Sequence, residues 1–100
     1  MSNKRIIFNL ARFWPPKAPR NQQVELYEEI KLGRKTSEWR DDTEHWRKRL
    51  LKQPAPSKAW FVVGYPKNSL PRLEADITDI VVHEESGQIE VKFENVKEKC

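Results

Sequence analysis

Residues 85–94 limit most narrowly what this chain can fold into. Glu85-Ser86-Gly87 has the composition of a tight turn. After it, Ile89, Val91 and Phe93 alternate with Glu90, Lys92 and Glu94. A period of two is the pattern of a strand with one face buried and one in water. Leu73 to Val82, before the turn, reads as the partner strand, so the segment is an antiparallel hairpin. A lone hairpin is at best marginally stable, and its apolar face needs cover from further elements.

The rest of the chain offers that cover. Arg5 to Leu10 is rich in β-branched and aromatic residues and reads as a strand, and Trp60 to Tyr65 is an apolar run that reads as a buried one. Between them, Val24, Tyr27 and Ile30 repeat at helical spacing, predicting a helix capped by Asn21 and running to about Leu32. Gly33 stands where a helix C-cap belongs. Thr36 to Arg40 then reads as a short strand. Thr43 opens a second helix to about Leu51, with Trp46 and Leu50 on one face and Pro54 and Pro56 beyond its end. Phe13 to Pro19 holds three prolines and predicts an extended loop, and Pro66 to Pro71 a second loop. About five strands and two short helices in 100 residues predict one α+β domain over residues 1–100. A closed or partly closed barrel would remove the exposed sheet edges.

Composition narrows the function. No apolar run approaches the ~18–20 residues of a membrane helix, and Ile6-Ile7-Phe8 is too short for a signal peptide, so no membrane role and a cytoplasmic setting are expected. The single cysteine, Cys100, excludes an intramolecular disulfide and a cysteine-built zinc site. His45 and His83 lack metal-ligand spacing, and there is no glycine-rich phosphate loop or nucleophile elbow, so neither metal nor cofactor is expected. The net charge of +4 is uneven: residues 1–60 carry 14 Lys/Arg against 7 Asp/Glu, and residues 61–100 carry 5 against 8. All four tryptophans also lie in the first 60 residues. Basic charge mixed with aromatics suits a surface that meets phosphates and stacks on bases; it equally suits a solvated face over a tryptophan-rich core. Trp46 and Trp60 sit in apolar patterns and read as core. Trp39 reads as packed inward and Trp14 as more open.

Chemistry concentrates in Gly33-Arg34-Lys35-Thr36-Ser37-Glu38-Trp39-Arg40. On a strand, Thr36, Glu38 and Arg40 share one face and Ser37 and Trp39 the other. Lys35, at the corner, can reach over the first face. Arg offers a planar fork to phosphate or guanine, Lys a mobile charge, and Glu an acceptor that also orients the two cations. A lysine crowded by Arg34 and Arg40 could instead act as a base, with Glu38 as its acid/base partner. A plain Glu38–Arg40 surface ion pair is the bland alternative. Arg47, Lys48, Arg49 and Lys52 form a basic helical patch suited to phosphates, and Tyr65 is a further cleft candidate.

Gly33, Lys35, Thr36, Glu38 and Arg40, directly after an amphipathic helix, resemble the G-x-K-x-x-E-x-R motif of the ASCH branch of PUA-like domains. The surrounding order of strand, helix, motif and barrel strands is similar too. The resemblance implies a small PUA-like β-barrel with a cleft beside the motif strand. It also implies RNA or single-stranded nucleic acid as partner, met by Lys35, Glu38 and Arg40 of the motif. Arg34, Tyr65 and the patch Arg47, Lys48, Arg49 and Lys52, a basic helix where many members have a short loop, are the further contacts expected from the residues themselves. Some family members are ribonucleases, and a bacterial branch hydrolyses acetylated cytidine. The lysine of that branch matches Lys35, but its nucleophilic threonine falls at Glu38. Three readings therefore stand: a nucleic-acid-binding module; a small enzyme on RNA or a modified nucleoside, using Lys35 and Glu38; and a small regulatory protein-interaction factor of viral or mobile-element type.

Overall fold

The computed structural model describes residues 5–64 and 71–100. Along them run β1 (Arg5–Leu10), β2 (Phe13–Trp14), β3 (Val24–Glu25), α1 (Leu26–Lys31), β4 (Ser37–Asp41), α2 (Glu44–Leu50), β5 (Lys58–Val63), β6 (Arg72–His83) and β7 (Gln88–Lys99). Five strands form one sheet in the order β1-β5-β6-β7-β4, parallel between β1 and β5 and antiparallel elsewhere. The expected hairpin is β6–β7. Its strands reach 12 residues each, well past the alternating stretch. Its register shifts between Glu74 and Asp76 and between Ile77 and Asp79. Asn95, opposite the first shift, takes a φ of 56°. Such bulges bend strands and add twist, and the sheet curls into a half-barrel. Its edges β1 and β4 approach without pairing: the Arg40 guanidinium of β4 lies 4.8 Å from the Phe8 ring of β1.

The core lies inside the curl. Phe8, Phe61, Leu73, Ile89 and Val91 are fully buried, and Phe93 nearly so. The Phe61 ring centre is 5.6 Å from that of Phe8 and 4.9 Å from that of Phe93. The alternation of residues 88–93 thus faces the way its pattern requires. Helix α2 packs where the two edges approach. The Thr43 hydroxyl caps it by accepting from the Trp46 N–H at 3.3 Å, Leu50 is wholly buried, and the Trp46 ring stacks 5.7 Å from Phe8.

Three expectations change. The first helix is only Leu26–Lys31, preceded by a single 3-10 turn at Arg20–Gln22, and Asn21 caps nothing. Val24 leaves the helical repeat to pair with Trp14, so the proline-rich segment contributes two strand residues. The Gln23 side chain donates to the Pro15 carbonyl at 2.9 Å, tying this stretch to the proline arm in an extended path. Tertiary pairing here outweighs helix propensity. Trp60, expected in the core, is half-buried on the outer face of the sheet between the guanidinium groups of Arg5 and Arg72, at 4.2 and 3.8 Å. The run Ala59–Val62 is apolar on both faces: on the outer one, cations cover Trp60 and Val62 is fully buried. Tyr65 and residues 66–70 of the expected loop lie outside the described residues. No helix among the described residues is long and apolar enough to cross a membrane.

The ends of α1 and β7 are latched by charge. The Tyr27 hydroxyl donates to Glu98 Oε2 at 2.9 Å, and Lys31 Nζ lies 3.1 Å from Glu98 Oε1. The Tyr27 hydrogen bond, then Lys31, hold the Glu98 carboxyl below its usual value of 4.5. Arg47 does the same for Asp42, Lys58 and Asn95 for Asp76, and His83 for Glu90. Burial and Glu98 raise the Tyr27 phenol above its usual 10.0. A carboxyl depressed on folding stabilises the protein above its unfolded pKa, and that contribution is lost as pH falls through the folded value; a raised phenol loses its contribution as pH climbs above the unfolded value. Thermal melts are therefore expected to give a plateau of Tm between about pH 5 and 9 that falls on both sides. A Tm that holds at pH 3 would contradict the latch.

Candidate nucleic-acid interface

The turn into the site is set by Gly33. Its φ of +78° lets the helix end with Gly33 N–H on the Ile30 carbonyl at 3.1 Å and Arg34 N–H on the Glu29 carbonyl at 2.9 Å. This is a Schellman pattern, and glycine enters its left-handed position without steric cost. It leaves Lys35 just before β4. Glu38, in β4, is the one charged residue buried among the described residues, at 5% exposure. Lys35 Nζ lies 3.3 Å from its Oε1 and Arg40 Nη1 3.3 Å from its Oε2. The Trp39 N–H also donates to Oε1, at 3.3 Å, and Arg40 Nη1 donates to the Trp39 carbonyl at 2.8 Å. A carboxylate this far from water needs such compensation. The trio expected from residue spacing is thus assembled, and the two residues a catalytic role would use, Lys35 and Glu38, touch.

The trio lines a cleft of about 580 Å³ where the sheet edges approach, with Asn9 and Leu10 of β1 also in its wall. Trp14 and Trp39 line it as well, 50% and 37% exposed. Trp39 was expected to pack inward. It does alternate with Glu38, but the face opposite Glu38 is the outside of the half-barrel. There its ring stacks on His83 at 4.8 Å, and His83 Nε2 lies 2.9 Å from Glu90 Oε1. Trp14 reads from sequence as an open stacking candidate, whereas Asn9 carries no site reading there; an amide between Phe8 and Leu10, in a strand apolar from Ile6 onward, is the signal that marks Asn9. Its Oδ1 is buried without a hydrogen-bond partner among the described residues.

Charge divides between two places. In the cleft, Lys35 and Arg40 are balanced by Glu38 and Asp41. A second groove of about 460 Å³ shares Asn9 and Arg40 with the cleft and adds Arg5, His45, Arg49 and Lys52, with no Asp or Glu in its lining. The expected basic residues separate accordingly. Arg49 and Lys52 line this groove. Arg47 is paired with Asp42, and Lys48 lies 3.1 Å from Glu44. Arg34 turns away from Lys35 to Glu29, at 2.8 Å, so Lys35 lacks the crowding expected from that side. Arg40 joins the two sites, its guanidinium 5.3 Å from the Trp46 ring centre. Among the described residues, no group of three or more His, Cys, Asp or Glu could hold a metal ion. Compared with family models, curated proteins and solved structures, the chain matches none.

Proposed function

We propose that this chain is a nucleic-acid-binding module of the ASCH, PUA-like type that accepts an unpaired base of RNA or single-stranded DNA in the cleft between β1 and β4. The observation that carries the reading is the buried Glu38 with a cation on each carboxylate oxygen, set in a cleft that the exposed Trp14 also lines. A carboxylate that holds Lys35 and Arg40 in place presents fixed donors to the acceptor edge of a base. Trp14 supplies an exposed π face, worth ~1–3 kcal/mol per stacked base. A base locked in a duplex cannot enter such a cleft, whereas an unpaired one can.

Titration of ten-nucleotide RNA and DNA strands, followed by tryptophan fluorescence, tests this. The expected result is quenching, with affinity that falls steeply between about 50 and 200 mM salt and drops at least about ten-fold, or 1.4 kcal/mol, in Lys35→Ala and Arg40→Ala. Equal affinity for heparin and RNA, unchanged in both variants, would sink the proposal.

A further inference from the structure

We infer that the groove along the free edge of β1 binds the sugar-phosphate backbone beside the base held in the cleft, so that the ligand is a strand of at least two nucleotides and not a free base or nucleoside. The inference rests on the base-binding reading of the cleft and adds a second contact to it.

The cleft cannot hold phosphates by charge, since its lining carries two carboxylates for two cations. The groove has the charge the cleft lacks. Arg49 of α2 and Lys52, just past its end, have no carboxylate partner among the described residues, nor has Arg5, whose guanidinium lies over Trp60, while Arg47 and Lys48 of α2 are both paired. Gathering unpaired cations in a groove costs mutual repulsion, which a polyanion relieves. The position is right as well. Asn9 and Arg40 line both cavities, so a base in one and its own phosphate in the other are bridged by two shared side chains. Among the described residues β1 pairs only with β5, so its other edge leaves backbone N–H groups without a strand partner along the groove, which Arg5, Ile6, Ile7 and Asn9 line. Backbone N–H groups, Arg and Lys are the usual phosphate contacts, and they position a strand without reading its sequence.

Fluorescence anisotropy with a labelled ten-nucleotide RNA separates the alternatives through two matched double variants. Arg49→Gln with Lys52→Gln strips the groove. Arg47→Gln with Lys48→Gln removes the same charge from the helix that carries Arg49, outside the groove. All four residues are exposed, so both proteins are expected to fold. Each phosphate contact to a single strand contributes about 0.7 to the slope of log affinity against log salt. The groove variant is therefore expected to lose about 1.4 from that slope and at least ten-fold in affinity, with base preference unchanged. The control is expected to lose less than half as much. Equal losses in the two variants overturn the groove and leave the base site standing. Loss of slope in the groove variant, with base preference insensitive to Glu38→Gln, overturns the base site and leaves the groove. A dinucleotide that binds no tighter than a nucleoside overturns the inference, and so does a poly-glutamate peptide that binds as tightly as RNA, which would assign the groove to an acidic protein partner.

Discussion

Phe61→Ala is expected to remove about 3–5 kcal/mol of unfolding free energy, the usual cost of deleting a buried phenyl ring. Phe61 is fully buried and touches rings on two sides, Phe8 of β1 and Phe93 of β7, which lie on opposite flanks of β5. The cavity would therefore open in the middle of the curl, where neither strand can move in without breaking its own pairing. Against a total of ~5–15 kcal/mol for a domain of this kind, the loss is severe. It corresponds to a fall in Tm of at least roughly 12 °C. Trp60→Ala supplies the contrast. It deletes a larger ring one residue away, but that ring stands on the outer face between Arg5 and Arg72, where each cation–π contact contributes ~0.5–1 kcal/mol. Its cost is expected to be about half that of Phe61→Ala or less. Urea denaturation of the two variants checks the ordering, and a Trp60→Ala loss that equals or exceeds the other would mean that more than the two cations packs on the Trp60 ring.

The same pair of residues shows what sequence could and could not reveal about the fold. Period-two alternation at Ile89, Val91 and Phe93 reports one buried face, because a polar residue at each intervening position excludes the other. Ala59 to Val63 has no such intervening residue, so its pattern cannot say which side is core. The answer depends on Arg5 and Arg72, two residues from distant parts of the chain that meet only once the strands pair. The shortened first helix has a similar cause. Val24 fits the helical repeat, but Trp14, ten residues earlier, competes for it as a strand partner. Local propensity carries no information about that competition.

At the site, parity was legible and sidedness was not. That Glu38 and Arg40 share a face and Trp39 takes the other follows from the strand alone. Which of those faces looks inward depends on how β4 sits on β7. In a half-barrel the edge strand can turn a carboxylate inward only if cations come with it, and Lys35 and Arg40 do. The basic patch on α2 was legible as composition, but its division was not. Asp42 and Glu44 neutralise Arg47 and Lys48, and only the fold decides that Arg49 and Lys52 are left facing β1.

Glu38→Gln is expected to collapse the preference among bases while leaving the salt dependence of binding unchanged. The substitution keeps the side-chain shape and one acceptor oxygen but removes the charge to which Lys35 and Arg40 are both held at 3.3 Å. Arg40 keeps its bond to the Trp39 carbonyl, so the chain path of β4 survives. What is lost is the fixed direction of two donors, and a well-placed donor set discriminates among bases by ~1–3 kcal/mol, or roughly 5- to 150-fold. The ratio of affinities for the best and worst homopolymer is expected to fall toward one by a factor in that range. Phosphate contacts set the salt slope, and Glu38 makes none, so the slope stays. A purely structural ion pair predicts the opposite pattern: a lower Tm in Glu38→Gln with the homopolymer ratio intact. Measuring Tm, salt slope and homopolymer ratio on one preparation separates the two, because only a carboxylate that aims its cations at a base couples its charge to sequence preference without coupling it to salt.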